Sequence, residues 1–110
     1  MKNRFEQLKP AIKGYAITSH FKRDVGSIEK ATAIVIEVLE SKESEQMHKF
    51  EELIEENLIF RAKIQGVHIV YVLTPSQRLV FLRAFKNFKS YEHFLADKQA
   101  LLSAIEYAKL

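Results

Sequence analysis

Three residues able to carry charge or protons fall on two short segments that predict one β-hairpin. Arg61 and Lys63 alternate with apolar residues, and this period of two is typical of a half-buried strand. Gln65 and Gly66 predict a two-residue turn, and the Val-, Ile- and Tyr-rich run that follows predicts a second strand, which carries His68. A guanidinium, an ammonium and an imidazole on one hairpin can together bind an anion, and the imidazole titrates near neutral pH.

The register of this hairpin decides whether the three groups meet. With a two-residue turn, Lys63 lies opposite His68 and Arg61 lies opposite Val70, while a row of apolar side chains occupies the other face. The Cβ atoms of directly opposed residues are about 4.5–5.5 Å apart, so the charge of Lys63 favours the neutral imidazole of His68. The pattern predicts a cationic cluster on the open face, although a merely hydrophilic, solvated face has the same pattern.

The next predicted strand carries a further arginine in its interior. A guanidinium inside a strand must face solvent or be paired, and no acidic residue lies near Arg83 in the sequence. We therefore expect Arg83 on the open face beside the hairpin residues. Lys86, Lys89 and Tyr91 follow the end of this strand and extend the same basic region.

Charge is distributed unevenly along the chain, whose net charge is +3 with a pI of about 9.2. Residues 1–30 hold seven Lys/Arg against three acids, and residues 61–110 hold eight against three, whereas residues 31–60 hold two against eight. If the fold brings the two basic segments together, this asymmetry suits an anionic partner such as nucleic acid.

Several classes of protein are disfavoured by what the sequence lacks. A chain of 110 residues fits a single domain, 1–110, and the lack of cysteine removes disulfides, thiolate metal sites and cysteine nucleophiles. The four histidines are scattered without metal-ligand spacing, and no P-loop, GxGxxG or GxSxG motif occurs. We expect no metal, no cofactor, no export signal, no membrane anchor and a cytoplasmic location.

Hydrophobic periodicity predicts the elements that position these residues. Residues 1–13 predict a helical N-terminal extension, and Ser27 can cap a helix that continues to Ser41. The pattern of residues 42–57 leaves a helix and an extended segment equally open. Strands are expected at residues 15–19, 58–64, 67–73 and 79–85, and one long amphipathic helix is expected from Ser90 onward. This order predicts an α+β fold, a small antiparallel-rich sheet with helices packed on one face.

Four segments in this order resemble the RelE/ParE/HigB superfamily of toxins from type II toxin–antitoxin systems. They are Ile36-Glu37-Val38-Leu39-Glu40-Ser41, Phe60-Arg61-Ala62-Lys63-Ile64, Ile69-Val70-Tyr71 and Leu79-Val80-Phe81-Leu82. The family pattern around the second strand is aromatic-basic-x-basic-apolar, a turn, and a strand ending in Val-Tyr or Val-x-Tyr. The resemblance covers roughly residues 15–107 and leaves residues 1–13 as an extension.

This resemblance implies a RelE-like ribosome-dependent endoribonuclease that cleaves messenger RNA by attack of the 2′-hydroxyl on its own phosphate, without a metal. It implies Lys63 and His68 as proton carriers and Arg61 and Arg83 as phosphate-binding members of the catalytic set. His68 stands where the family usually has arginine. The RNA- or phosphate-binding residues that it further implies are Lys86, Lys89, Tyr91 and His93.

The resemblance also implies partners. An acidic cognate antitoxin would silence the protein in a hetero-oligomer, and the ribosome and messenger RNA would be its targets, with no membrane involved. Because His68 departs from the family pattern, a ParE-like inhibitor of DNA gyrase without nuclease activity is an alternative. A generic basic module that binds RNA or protein is a third.

Overall fold

Five strands and four helices make up the part of the chain described by this computed structural model, which comprises residues 12–40, 49–54, 56–64 and 66–109. The strands are β1 (Gly14–Ile17), β2 (Lys49–Ile54), β3 (Asn57–Ile64), β4 (Val67–Leu73) and β5 (Arg78–Phe85). The helices are α1 (Ser19–Val25), α2 (Ile28–Glu40), α3 (Phe88–Ala96) and α4 (Lys98–Lys109). The strands form one sheet in the order β1-β5-β4-β3-β2, in which β1 runs parallel to β5 and the other neighbours are antiparallel.

The hairpin of β3 and β4 has the predicted register. Lys63 pairs with His68, and Arg61 pairs with Val70. Gly66 has a φ of 79°, a left-handed conformation that glycine adopts without steric cost. The turn chemistry therefore fixes which side chains stand opposite each other.

One face of the sheet packs against α1 and α2. Phe60, Tyr71 and Phe81 form a line of aromatic rings with centroids 5.5–5.8 Å apart on this face. Helix α1 adds Phe21 to them, and α2 adds a buried stripe at helical spacing that includes Val35 and Val38. These contacts make the larger of the two buried clusters.

The opposite face packs against α3 and α4. Val70, Val72 and Leu82 are buried there under side chains that include Tyr91 and Leu101. The expected α+β class and antiparallel-rich sheet are confirmed, and α1 and α2 cover one face as expected. The structure adds a helical layer on the second face, because β4 and β5 are apolar on both faces and both must be shielded from water.

Two other segments differ from expectation. Residues 49–54, within the segment left open between helix and strand, form β2 and pair with β3. The single long C-terminal helix is instead two helices, since the side chain of Asp97 accepts a hydrogen bond from the Ala100 amide (3.1 Å) and begins α4. Helix α3 begins before Ser90, at an N-cap provided by Asn87. Of the helical extension predicted for residues 1–13, residues 1–11 lie outside the described residues, as do residues 41–48, and residues 12–13 are not helical.

Candidate functional site

Arg61, Lys63 and His68, here called the hairpin cluster, lie on the sheet face that α3 and α4 cover. They occupy the end of that face nearest the β3–β4 turn, where Lys63 is exposed and the other two side chains are partly exposed. Alternation along β3 and β4 places all three on one face, as the sequence predicts, but the expectation that this face is open is wrong, because the two C-terminal helices pack on it. The helices bury the neighbouring Val70 and leave this end of the sheet accessible.

The imidazole of His68 rests against two aromatic rings from the start of α3. It stacks on the ring of Tyr91, with centroids 5.1 Å apart and an interplanar angle of 21°, and it meets the ring of Phe88 at 5.4 Å and 59°. Helix α3 begins immediately after β5 because the side chain of Asn87 accepts hydrogen bonds from the amides of its first turn. This cap brings both rings over the hairpin.

The surroundings of His68 favour its uncharged form. Desolvation against its neighbours lowers the pKa of His68 from 6.5, and the positive charges of Lys63 and then Arg61 lower it further. At neutral pH the imidazole therefore has one nitrogen free to accept a proton and one N–H able to donate. The hairpin cluster combines a neutral proton acceptor with two basic side chains.

Arg83 has an acidic partner that the sequence interpretation did not find, and this corrects the expectation of an unpaired guanidinium. Its Nε donates to Oδ2 of Asp24 at 2.6 Å, and its Nη2 donates to Oδ1 at 3.2 Å. The guanidinium also lies 4.9 Å from the ring centroid of Phe85 and 5.8 Å from that of Phe94. These contacts of Arg83, which lies on β5, connect that strand to α1 and α3.

A cavity of about 440 Å³ opens beside Arg83 rather than beside the hairpin cluster. It lies between the end of β1, the start of α1, β5 and the two C-terminal helices. Its lining is Thr18, His20, Leu82, Arg83, Phe94, Ala100, Ser103 and Ala104. No residue of the hairpin cluster lines this cavity, although Arg83 pairs with Val70, which also pairs with Arg61.

The other predicted RNA-binding residues divide into exposed and buried. Lys86, Lys89 and His93 are exposed on the β5–α3 connection and on α3. Tyr91 is only 2% exposed, so its ring supports His68 from within the core and offers no face to a ligand. Sequence reasoning missed Phe88, which is 49% exposed beside His68, and the signal for it was Asn87, an N-cap residue that puts Phe88 at the start of α3.

None of the helices in the described residues is long and apolar enough to cross a membrane, and no group of three His, Cys, Asp or Glu side chains among these residues could hold a metal ion.

Comparisons of the chain with known proteins gave no match among protein families, curated proteins or solved structures. The resemblance to RelE-like toxins therefore depends on the sequence segments quoted above.

Proposed function

We propose that this chain is a RelE-like toxin of a type II toxin–antitoxin system and that it cleaves messenger RNA on the ribosome without a metal ion. The observation that supports this most directly is the placement of His68 beside Lys63 and Arg61 on one face of the hairpin, where partial burial and the two positive charges lower the pKa of His68. Cleavage by an internal 2′-hydroxyl requires a proton acceptor, a proton donor and positive charge near one phosphate, and the hairpin cluster supplies these groups.

The proposed reaction assigns one task to each residue. His68 accepts the proton of the 2′-hydroxyl as the 2′-oxygen bonds to phosphorus, and Lys63 gives a proton to the 5′-oxygen as the P–O5′ bond breaks. Arg61 binds the non-bridging oxygens, where negative charge increases in the transition state. The products are a 2′,3′-cyclic phosphate and a 5′-hydroxyl, and water later restores the two proton carriers.

Lys86, Lys89 and His93 are assigned to the RNA backbone on either side of the cleaved phosphate. They are exposed and follow β5, whose Phe85 pairs with His68, so they border the hairpin cluster. Arg83 is excluded from the proposed catalytic set because its guanidinium is paired with Asp24. The proposal also includes a cytoplasmic location, the ribosome as target and a hetero-oligomer with an antitoxin.

The test is to induce the chain alone in a bacterial host and map messenger RNA 5′ ends within minutes. We expect growth arrest and cuts at fixed codon positions, and we expect His68→Ala to lower the cleavage rate by roughly 10²–10⁴-fold because it removes the proton acceptor. Arg78→Ala is the matched control, since it removes a surface cation seven residues before Phe85, about 23 Å along β5 from the row of His68.

Full cleavage by a double Arg61→Ala, Lys63→Ala variant would contradict the proposed site. The alternative function, a ParE-like gyrase inhibitor, is favoured by one observation, the histidine at position 68 where these nucleases usually have arginine. The gyrase-inhibitor alternative predicts growth arrest with intact messenger RNA and with DNA damage signalling. Neither arrest nor cleavage would leave a binding module as the remaining candidate.

A further inference from the structure

Phe88 exposes about half of its side chain at the edge of the hairpin cluster. Its ring lies 5.4 Å from that of His68 and 5.7 Å from that of Tyr91, and it is 49% exposed. Other large hydrophobic residues exposed to a similar extent lie elsewhere, Tyr15 on β1 and the pair Ile28 and Ile36 on α2, the helix that covers the opposite face. Phe88 is thus the exposed aromatic group that adjoins the proposed proton acceptor.

The position of Phe88 is set by the N-cap of α3 and by a contact with the ring of Tyr91. It is the first residue of α3, whose N-cap Asn87 accepts hydrogen bonds from the amides of Lys89 (2.7 Å) and Ser90 (3.3 Å). The ring of Tyr91, which is buried, supports it on the inner side. A ligand that stacks on the outer face of Phe88 would therefore meet a preorganised surface, and little further ordering would oppose binding.

Basic residues flank Phe88 in the sequence and in the sheet. Lys86 and Lys89 are exposed on either side of Phe88 in the sequence, and Lys63 lies on the far side of His68, while α3 carries one acidic residue, Glu92. Cations that attract a phosphate backbone next to an exposed aromatic face are the combination by which proteins bind single-stranded nucleic acid.

We propose that Phe88 is a base-stacking residue, and that the unpaired base of the nucleotide next to the cleaved phosphate lies on its exposed face. This inference depends on the proposed nuclease function and adds to it a substrate class, single-stranded RNA with a free base face. In a duplex both faces of each base are already covered by neighbouring bases, so paired RNA offers Phe88 no free face on which to stack. Because every base has a π-face, this contact tolerates any sequence.

The first experiment measures affinity for a labelled single-stranded 2′-O-methyl RNA, which has no free 2′-hydroxyl and so is not cleaved. We expect Phe88→Leu to weaken binding by about 10-fold or more, whereas Phe88→Tyr and Phe88→Trp retain it because they keep an aromatic face. Tyr15→Leu is the matched control, since it removes an aromatic ring of similar exposure, 46%, from the edge strand β1.

The second experiment replaces the base next to the cleaved phosphate with an abasic site, in the same oligonucleotide and in messages on programmed ribosomes. The abasic site should weaken binding and slow cleavage by the parent protein but have little further effect on Phe88→Leu, because the stacking partner is already gone. Equal sensitivity of both proteins, or unchanged affinity of Phe88→Leu while His68→Ala still abolishes cleavage, would overturn the stacking inference alone. If the parent protein neither binds nor cleaves RNA, both proposals fail.

Discussion

His68 is the residue whose protonation decides what the hairpin cluster can do. Partial burial, and then the charges of Lys63 and Arg61, lower the pKa of His68 from 6.5, so a cleavage rate that depends on neutral imidazole should fall as the pH decreases through the pKa of His68 in the folded protein. The free energy of unfolding changes with pH in the same direction as the cleavage rate. The folded state binds fewer protons than the unfolded state, so the free energy of unfolding decreases as the pH drops below about 6.5.

The direct measurement is an NMR titration of the His68 ring. We expect a pKa below 6.5 in the parent protein, and we expect Lys63→Met to raise it because this variant removes a facing positive charge. Arg78→Met removes an equal charge at the far end of β5 and should leave the His68 titration unchanged. A His68 pKa at or above 6.5 in the parent protein contradicts the neutral-acceptor role.

The hairpin cluster could be predicted from sequence because each step was local. Arg61 and Lys63 alternate with apolar residues, Gly66 marks the turn, and a period of two then determines the facing pairs. The pair between Arg83 and Asp24 could not be predicted in this way, since 59 residues separate them and only the packing of α1 against β5 brings them together. Burial of Tyr91 and exposure of Phe88 likewise depend on where α3 lies.

At the scale of the elements, the β3–β4 turn sets the register of the candidate site. Gly66 has a φ of 79°, and a side chain there would be strained although no heavy atom stands within 4 Å of its Cβ position. Gly66→Ala should therefore destabilise the protein by about 1–2 kcal/mol, whereas Gly66→Asn should cost less because asparagine tolerates this conformation.

Urea denaturation of the two variants measures this difference, and the titration of His68 reports whether the register survives. An equal stability of Gly66→Ala and the parent protein would show that the turn accepts another conformation. In that case the pairing of Lys63 with His68 would not depend on this glycine.

The C-terminal helices show where a periodic pattern misleads. The apolar residues 94, 101, 105 and 108 continue one stripe across the break, so hydrophobic spacing alone joins α3 and α4 into a single helix. Asp97 indicates the break in the sequence, because aspartate is a good N-cap residue. Its side chain accepts a hydrogen bond from the Ala100 amide. The sequence of β4 also indicates that helices cover both faces of the sheet, because its run Ile69-Val70-Tyr71-Val72-Leu73 has no polar face.

At the scale of the whole molecule, Asp24 joins the N-terminal helices to the sheet. Its Oδ2 accepts hydrogen bonds from Arg83 Nε (2.6 Å) and from the backbone amide of Ala84 (3.0 Å), at the part of β5 that extends beyond its pairing with β1. Asp24→Ala leaves both donors without this acceptor and should lower the free energy of unfolding by about 1–3 kcal/mol.

Thermal or urea unfolding checks this value, and Asp24→Asn should retain part of the stability because its side-chain oxygen can still accept one bond. The double variant Asp24→Ala, Arg83→Met also removes the unpaired guanidinium, so it should regain part of the free energy of unfolding that Asp24→Ala loses. If Asp24→Ala unfolds at the same denaturant concentration as the parent protein, the ion pair contributes nothing to the fold.

The parallel pairing of β1 with β5 has a consequence for synthesis. Tyr15 pairs with Leu79, and the Thr18 hydroxyl bonds to the carbonyl groups of Phe81 and Leu82, so the first of the described strands pairs with the last of them. The antiparallel strands β2 to β5 can assemble from neighbours in the chain, whereas β1 must wait until more than sixty further residues have been added. A nascent chain therefore carries β1 without its sheet partner while these residues are made, and the pairing of β1 with β5 is expected to be a late event of folding.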